Sequence, residues 1–157
     1  MANLNKKILI VIGHPKSESF CHALAESFAQ GVKENNNNQI KIIDLYKEKF
    51  NPVYDLEEDA PDVLKYQEMV TESDVITFVY PTWWFRAPAI IEGWIDRVMT
   101  TPYAYTFKKF KITETEIVER FVGNFGRPIG KLTDKKAIII QTYGSPQFAT
   151  KLWFFNL

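Results

Sequence analysis

The sequence predicts an α/β protein built on an open, doubly wound parallel sheet. Short apolar runs rich in β-branched residues alternate with amphipathic segments, in the order β-α-β-α-β-α-loop-β. The apolar runs are almost continuous, which is typical of parallel strands covered on both faces. A chain of 157 residues suffices for one core, so we expect a single domain over residues 1–157.

Four strands are expected, in the runs at 7–14, 40–45, 74–81 and 135–144. Ser17 or Ser19 is the expected N-cap of the first helix. Helical periodicity predicts one buried face on each of three helices. These faces are Phe20, Ala23, Leu24, Ser27, Phe28 and Val32; then Val63, Tyr66, Met69 and Val70; then Ile90, Ile91, Trp94, Ile95 and Val98. A short fourth helix is expected within 113–121.

The composition excludes several classes of function. Nineteen basic and nineteen acidic side chains cancel, which argues against a general nucleic-acid or membrane-surface binder. The single cysteine, Cys21, excludes an internal disulfide, and we expect a cytoplasmic protein. We see no signal peptide and no apolar run of about 20 residues that could span a bilayer. The aromatic content of 15% is high and needs either a core or a ligand to account for it.

Three of the predicted strands end in unusual segments: "GHPKSESF" after the first, "YPTWWF" after the third and "QTYGSP" after the fourth. The carboxyl ends of parallel strands lie at one edge of an open sheet, where ligands bind. We therefore expect these three segments to form one site.

The first segment combines His14 and two serines with a helix N-terminus, a combination that favours an anion. The glycines and lysine of a phosphate-binding loop are absent, so a phosphate would be held by side chains and helix amides. A plain N-cap beside a surface histidine stays open as the alternative. His14 has no partner at metal-ligand spacing, and no metal site is expected.

The second segment places Trp83, Trp84 and Phe85 between two prolines, Pro81 and Pro88, which stiffen the turn. Ring faces beside backbone N–H groups suit a flat heteroaromatic ligand, and corner packing is the alternative. In the third segment, Gly144 would allow a ligand to approach the backbone closely.

Together, "GHPKSESFCHAL", "YPTWWFRAPAIIEGWIDRV" and "PYAYTF" resemble the NAD(P)H quinone oxidoreductases of the flavodoxin-like fold, over nearly the whole chain. That family includes quinone reductases, modulators of drug activity and ancillary subunits of potassium efflux systems. The resemblance implies FAD or FMN as cofactor and NAD(P)H as co-substrate. It also implies a fifth strand and a closing helix, which this sequence, ending at "ATKLWFFNL", is expected to lack. A monomer without them should be less stable.

The resemblance also assigns residues. Flavin phosphates are expected near His14, Ser17, Ser19, Phe20 and Cys21. The ring is expected against Pro81, Thr82, Trp83, Trp84 and Phe85, and Thr142, Tyr143, Gly144 and Ser145 would close the other side. Tyr105 and Phe107 would line the substrate pocket from the partner subunit of a homodimer. Together with Tyr143 they are the candidate catalytic residues. The segment "TYGS" differs from the family's usual "TTGG" at Tyr143 and Ser145.

The resemblance implies ping-pong hydride transfer from NAD(P)H through the flavin to a quinone. Such chemistry needs no Ser-His-Asp triad, and the sequence shows none. Three alternatives stay open: a flavodoxin-like electron carrier, a redox-sensing subunit that binds a membrane efflux channel, and a truncated, inactive relative. No determinant separates FAD from FMN or NADH from NADPH.

Overall fold

The computed structural model describes residues 5–34, 38–56, 59–109 and 126–144. Four parallel strands form the main sheet in the order β2-β1-β3-β6, and β4 and β5 form a separate antiparallel hairpin. The strands are β1 (Lys7–Ile12), β2 (Gln39–Asp44), β3 (Val75–Pro81), β4 (Tyr105–Lys109), β5 (Gly126–Gly130) and β6 (Lys136–Thr142). The helices are α1 (Phe20–Glu34), α2 (Pro61–Glu72) and α3 (Ala89–Val98). The predicted α/β class and parallel sheet are confirmed.

The apolar runs of β1 and β3 are buried because helices cover both faces of the sheet. Leu9 and Val11 pack on one face with residues of α2 and α3, such as Trp94. Ile8, Ile10 and Ile12 alternate onto the other face and pack against α1. This alternation explains why β1 is apolar at nearly every position.

The buried face of α1 differs from the prediction. Cys21, Ala25 and Ala29 are buried against the sheet, whereas Leu24, Phe28 and Val32 only border this contact. The prediction was wrong for Phe20, Ala23 and Ser27, which are exposed. Small side chains at every fourth position let the helix approach the strands closely, so the contact stripe follows them and not the largest residues.

The faces of α2 and α3 agree better with the prediction. Val63, Tyr66 and Val70 are buried on α2, and Met69 packs beside them. On α3 the prediction was wrong for Ile95, which is 40% exposed. Ile95 faces a cavity of about 390 Å³ at the end of the helix.

A close contact joins α3 to the segment that follows β2. A Cβ atom placed on Gly93 would lie 2.1 Å from the carbonyl oxygen of Pro52. Beside it, the buried guanidinium of Arg97 donates to the carbonyl of Asn51 at 2.9 Å and makes two bonds with Asp62. Gly93 and Arg97, the glycine and arginine of "GWIDR", therefore hold α3 against the segment that follows β2.

The hairpin of β4 and β5 was not predicted. Tyr105 pairs with Gly130 and Lys109 with Gly126 across the hairpin. The expected short helix at 113–121 and the chain end after Gly144 lie outside the described residues. The expectation that a last strand and helix are missing stays a prediction for the same reason.

We expect Asp74→Asn to make stability less dependent on pH. The Lys7 backbone N–H, at 2.8 Å, and the Lys6 ammonium hold the pKa of Asp74 below its usual range. A carboxylate with a lowered pKa stabilises the fold above its unfolded pKa, and this contribution is lost as pH falls through the folded pKa. Urea unfolding should show the variant weakened at neutral pH and equal to wild type in strong acid.

Asp134→Asn is the matched control, because Asp134 is 74% exposed and only touches its neighbour Lys135. It should leave the urea midpoint nearly unchanged at both pH values. An equal loss of stability in Asp74→Asn at neutral and strongly acidic pH would contradict the assignment.

Candidate active site

The three segments predicted to form a site meet at the carboxyl edge of the sheet. Thr82 N–H donates to the Thr142 carbonyl at 2.8 Å, which joins the ends of β3 and β6. The Cys21 thiol lies 3.3 Å from the Thr142 hydroxyl, which joins α1 to the same strand. The rings of His14 and Trp83 lie 6.4 Å apart between their centroids. The prediction that these loops converge agrees with these contacts.

The aromatic turn has a backbone conformation that side chains rarely adopt. Trp83 and Arg86 exchange two backbone hydrogen bonds of 3.0 Å. The two residues between them, Trp84 and Phe85, have φ values of 50° and 62°. Positive φ at both central positions is the signature of a type I′ turn, which normally contains asparagine and glycine. Each such residue costs on the order of 1–3 kcal/mol, so the fold holds the turn under strain.

The strained turn presents its rings to solvent. Trp84 is 91% exposed and Phe85 61%, and Phe20 at the start of α1 is 70% exposed. Corner packing, the alternative weighed for these rings, does not account for this exposure. Exposed aromatic surface concentrated at one loop cluster is typical of a ligand site.

Donors and acceptors without partners lie beside these rings. The Thr82 hydroxyl is buried without a hydrogen-bond partner among the described residues. The first turn of α1, at Phe20 and Cys21, begins with amides that have no acceptor within the helix. Apolar ring faces, a buried hydroxyl and a helix N-terminus fit a flat ring that carries a phosphate.

Individual predicted residues take different places in the cluster. His14 and Ser19 are half-buried, whereas Ser17 is exposed before the helix. Pro81 is the buried last residue of β3. Tyr143 is 45% exposed, and its hydroxyl donates to Gln141.

Gly144 is exposed directly after this tyrosine, and an added Cβ would meet no atom of the described residues within 4 Å. Ser145 lies outside the described residues.

Tyr105 and Phe107 lie elsewhere. Their rings pack edge to face at 5.6 Å on β4, and Tyr105 lines the cavity beside Met99 and Thr100 at the C-terminal end of α3. The aromatic turn precedes the N-terminal end of that helix, and ten helical residues span about 15 Å. The fold of one chain therefore separates these two rings from the three loops.

Two side-chain arrangements at the site were not predicted. Ser19, His22 and Asp44 form a hydrogen-bonded series, although the sequence was interpreted as having no Ser-His-Asp set. The three-residue spacing of Ser19 and His22, an N-cap and its third helical residue, was the available signal. Arg86 makes two hydrogen bonds to Glu92, at 3.1 and 2.7 Å, which tie the aromatic turn to α3.

Metal and membrane features are absent from the part of the chain that the structure describes. No group of three or more His, Cys, Asp or Glu side chains there could hold a metal ion. None of the described helices is long and apolar enough to cross a membrane.

Comparison with known proteins identifies the class. Residues 6–155 match the model of the Flavodoxin_2 family, described as a flavodoxin-like fold. The chain therefore belongs to this family, and the resemblance found in its sequence is confirmed at that level.

Curated relatives carry oxidoreductase names. The chain is 37% identical to an uncharacterized NAD(P)H oxidoreductase of Haemophilus influenzae, over 62% of this chain and 52% of the relative. It is 28% identical to guinea pig (Cavia porcellus) NAD(P)H dehydrogenase (quinone) 1, over 65% of this chain and 46% of the relative. The chain thus spans about half the length of the curated relatives it matches.

Solved structures share the fold. Smu.1420 from Streptococcus mutans is 30% identical, with a TM-score of 0.74 over 93% of this chain and 72% of that one. An FMN-dependent NADH-azoreductase from Bacillus anthracis, solved in complex with FMN, is 20% identical with a TM-score of 0.63, over 98% of this chain and 75% of that one. At that identity the second structure supports the fold alone.

Proposed function

We propose that this chain is a flavin-dependent NAD(P)H:quinone oxidoreductase that binds FMN or FAD at the three loops. The observation that carries the proposal is the strained aromatic turn with its exposed rings. It directly follows Thr82, whose hydroxyl is buried and has no hydrogen-bond partner among the described residues. Relatives named as NAD(P)H oxidoreductases and NAD(P)H dehydrogenases support the reaction and its co-substrate, and the flavodoxin-like family supports a flavin as ligand. They favour an enzyme over an electron carrier or a channel subunit.

The proposed site has two parts. The helix amides at Phe20 and Cys21, with the Ser17 and Ser19 hydroxyls and His14, would hold the phosphate. The turn would place the ring against Trp83, Trp84 and Phe85, where the backbone N–H of Trp84 and the Thr82 hydroxyl would meet the polar edge. Thr142, Tyr143, Gly144 and Ser145 would border the opposite side.

When bound, a flavin supplies two-electron chemistry, accepting a hydride from NAD(P)H and reducing a quinone. The protein chain would bind the flavin, orient it and limit access to it. Backbone N–H groups near the turn favour the negative charge that develops on the ring edge during reduction. The rings of Trp84 and Phe20 are open to solvent. NAD(P)H and the quinone would therefore bind one after the other at the same open face of the site, which gives ping-pong kinetics.

We also propose a homodimer. Tyr105 and Phe107 lie about one α3 length from the loops of their own chain, so a partner subunit would have to bring them to the flavin. The exposed Ile95 and the cavity near Tyr105 provide apolar surface for such a contact. Use of NAD(P)H and the single, buried Cys21 suit a cytoplasmic enzyme.

Steady-state kinetics test the function. The chain, supplied with FMN or FAD, is expected to oxidise NADH or NADPH only in the presence of a soluble quinone. Initial rates at varied donor and acceptor concentrations should give parallel double-reciprocal lines. Trp84→Ala should lower kcat/KM at least tenfold, whereas Leu64→Ala, an exposed apolar residue on α2, should leave it unchanged. Absence of quinone-dependent turnover with both flavins would contradict the proposal.

A further inference from the structure

The hydroxyl of Ser19 is held by His22 at the N-terminus of α1. Its oxygen accepts the backbone N–H of His22 at 3.3 Å and lies 2.7 Å from the ring nitrogen Nδ1 of the same residue. The other ring nitrogen, Nε2, lies 3.0 Å from Oδ2 of Asp44, at the end of β2. The series thus runs from the helix N-terminus across to a neighbouring strand.

Asp44 fixes the tautomer of His22. Its second oxygen, Oδ1, accepts the backbone N–H groups of Tyr46 and Lys47, both at 3.1 Å, which holds the carboxylate in place. An ionised carboxylate only accepts hydrogen bonds, so Nε2 of His22 must carry a proton. In the neutral imidazole Nδ1 is then a bare acceptor, and the single proton of the Ser19 hydroxyl must point at it.

A serine in that state has no proton to offer to an anion. If a second proton binds at Nδ1, the direction of the bond reverses: His22 donates and the Ser19 oxygen accepts. The Ser19 hydroxyl proton is then free to turn toward a phosphate oxygen at the helix N-terminus. As long as the bond between Ser19 and Nδ1 is kept, hydrogen-bond donation by Ser19 to an anion requires a positively charged His22.

We propose that His22 is a positioning residue that couples phosphate binding at this site to the uptake of one proton. The inference rests on the proposed flavin site, because the flavin phosphate is the anion concerned. In the overall binding reaction, the apo chain, the flavin phosphate and one proton from solvent give a complex in which His22 is an imidazolium. No covalent bond forms or breaks.

The surroundings of His22 can accommodate the added charge. Asp44 contacts it from β2, and Glu26 lies four residues along α1. Lys47 and Glu48, from the segment after β2, line the same groove of about 540 Å³. From the loop after β1, the ring of His14 packs edge to face at 6.3 Å. Glu48 is already paired with Lys65 of α2 at 2.6 Å. The carboxylate of Asp44, 3.0 Å from Nε2, is therefore the direct partner that keeps the imidazolium from being an unpaired buried cation.

Flavin binding by the full chain, measured between about pH 6 and pH 9, tests the coupling. FMN affinity of the wild type should fall as pH rises, by up to tenfold per pH unit, the slope for uptake of one proton on binding. Riboflavin, which has no phosphate, should show no such slope. Because a phosphate monoester itself titrates near pH 6, the comparison is with His22→Gln, whose FMN affinity should lack the His22 component of the slope.

Two further readouts do not depend on activity. Calorimetry in buffers of different ionisation enthalpy should give a proton uptake on FMN binding that rises toward one proton as the pH of the measurement is raised. Nitrogen-15 NMR should show protonation of Nδ1 in the complex. The chain has two histidines, and His14→Gln should keep the proton uptake even if its affinity changes.

The results of these experiments distinguish a failure of the proton coupling at His22 from a failure of the proposed flavin-dependent function. If FMN, FAD and riboflavin all fail to bind at any pH, the proposed function itself fails. If FMN binds with the same pH slope in wild type and His22→Gln, and without proton uptake, the coupling is wrong while the function stands. Should His22→Gln not fold by circular dichroism, Ser19→Ala replaces it: it should abolish the uptake, and unchanged uptake would overturn the proposal.

Discussion

Gly93→Ala is expected to destabilise the fold by about 3 kcal/mol or more, the upper range for overpacking. The added Cβ would lie 2.1 Å from the Pro52 carbonyl oxygen and 2.5 Å from its Cβ. Backbone atoms cannot move aside as a flexible side chain can, so α3 would have to shift. Because α3 begins directly after the aromatic turn, this shift should also weaken flavin binding. Urea unfolding followed by circular dichroism measures the first effect.

Gly31→Ala is the matched control for this prediction. Gly31 lies within α1, and an added Cβ there meets no atom within 4 Å in the part of the chain that the structure describes. Alanine in a helix interior is favoured over glycine by about 0.5–1 kcal/mol, so this variant should be slightly more stable than wild type. A Gly93→Ala protein as stable as Gly31→Ala would show that the contact with Pro52 is not close.

Replacing Trp84 by asparagine together with Phe85 by glycine should stabilise the apo chain and weaken flavin binding. Asparagine and glycine adopt positive φ with little strain, so relief at two positions should add about 1–3 kcal/mol to the free energy of unfolding. The same change removes the two most exposed rings of the turn, at 91% and 61%. We expect flavin affinity to fall at least tenfold.

Thermal unfolding and flavin titration of the same preparation measure both effects. Leu64→Ala removes another exposed apolar side chain, 50% exposed on α2, and should change neither quantity beyond about 0.5 kcal/mol. If the double variant is less stable than wild type, the rings of Trp84 and Phe85 stabilise the aromatic turn by packing. Unchanged flavin affinity would mean that they do not contact the ligand.

Local pattern was sufficient to predict the main sheet and the meeting of the loops. The runs in β1 and β3 are short, apolar and β-branched, and parallel strands leave their carboxyl ends at one edge. The order of elements was therefore sufficient to predict that His14, Trp83 and Thr142 lie at the same edge of the sheet.

Features that depend on packing or on distant residues were missed. The sequence of β5, "GRPIG", contains glycine and proline and has no strand pattern of its own, so its pairing with β4 is a tertiary effect. The face of α1 was misplaced because alanine carries little hydrophobic signal, although Ala25 and Ala29 make the close contact. His22 and Asp44 lie 22 residues apart, and only the pairing of β1 with β2 brings them together.

Titration of the purified chain with FMN and FAD, followed by tryptophan fluorescence and visible absorbance, tests the central claim most directly. A flavin stacked on Trp83 and Trp84 should quench their fluorescence and bind one to one. The complex should keep its yellow colour through desalting and release the flavin in acid. A chain that is folded by circular dichroism, shows no quenching and binds neither flavin would contradict the account.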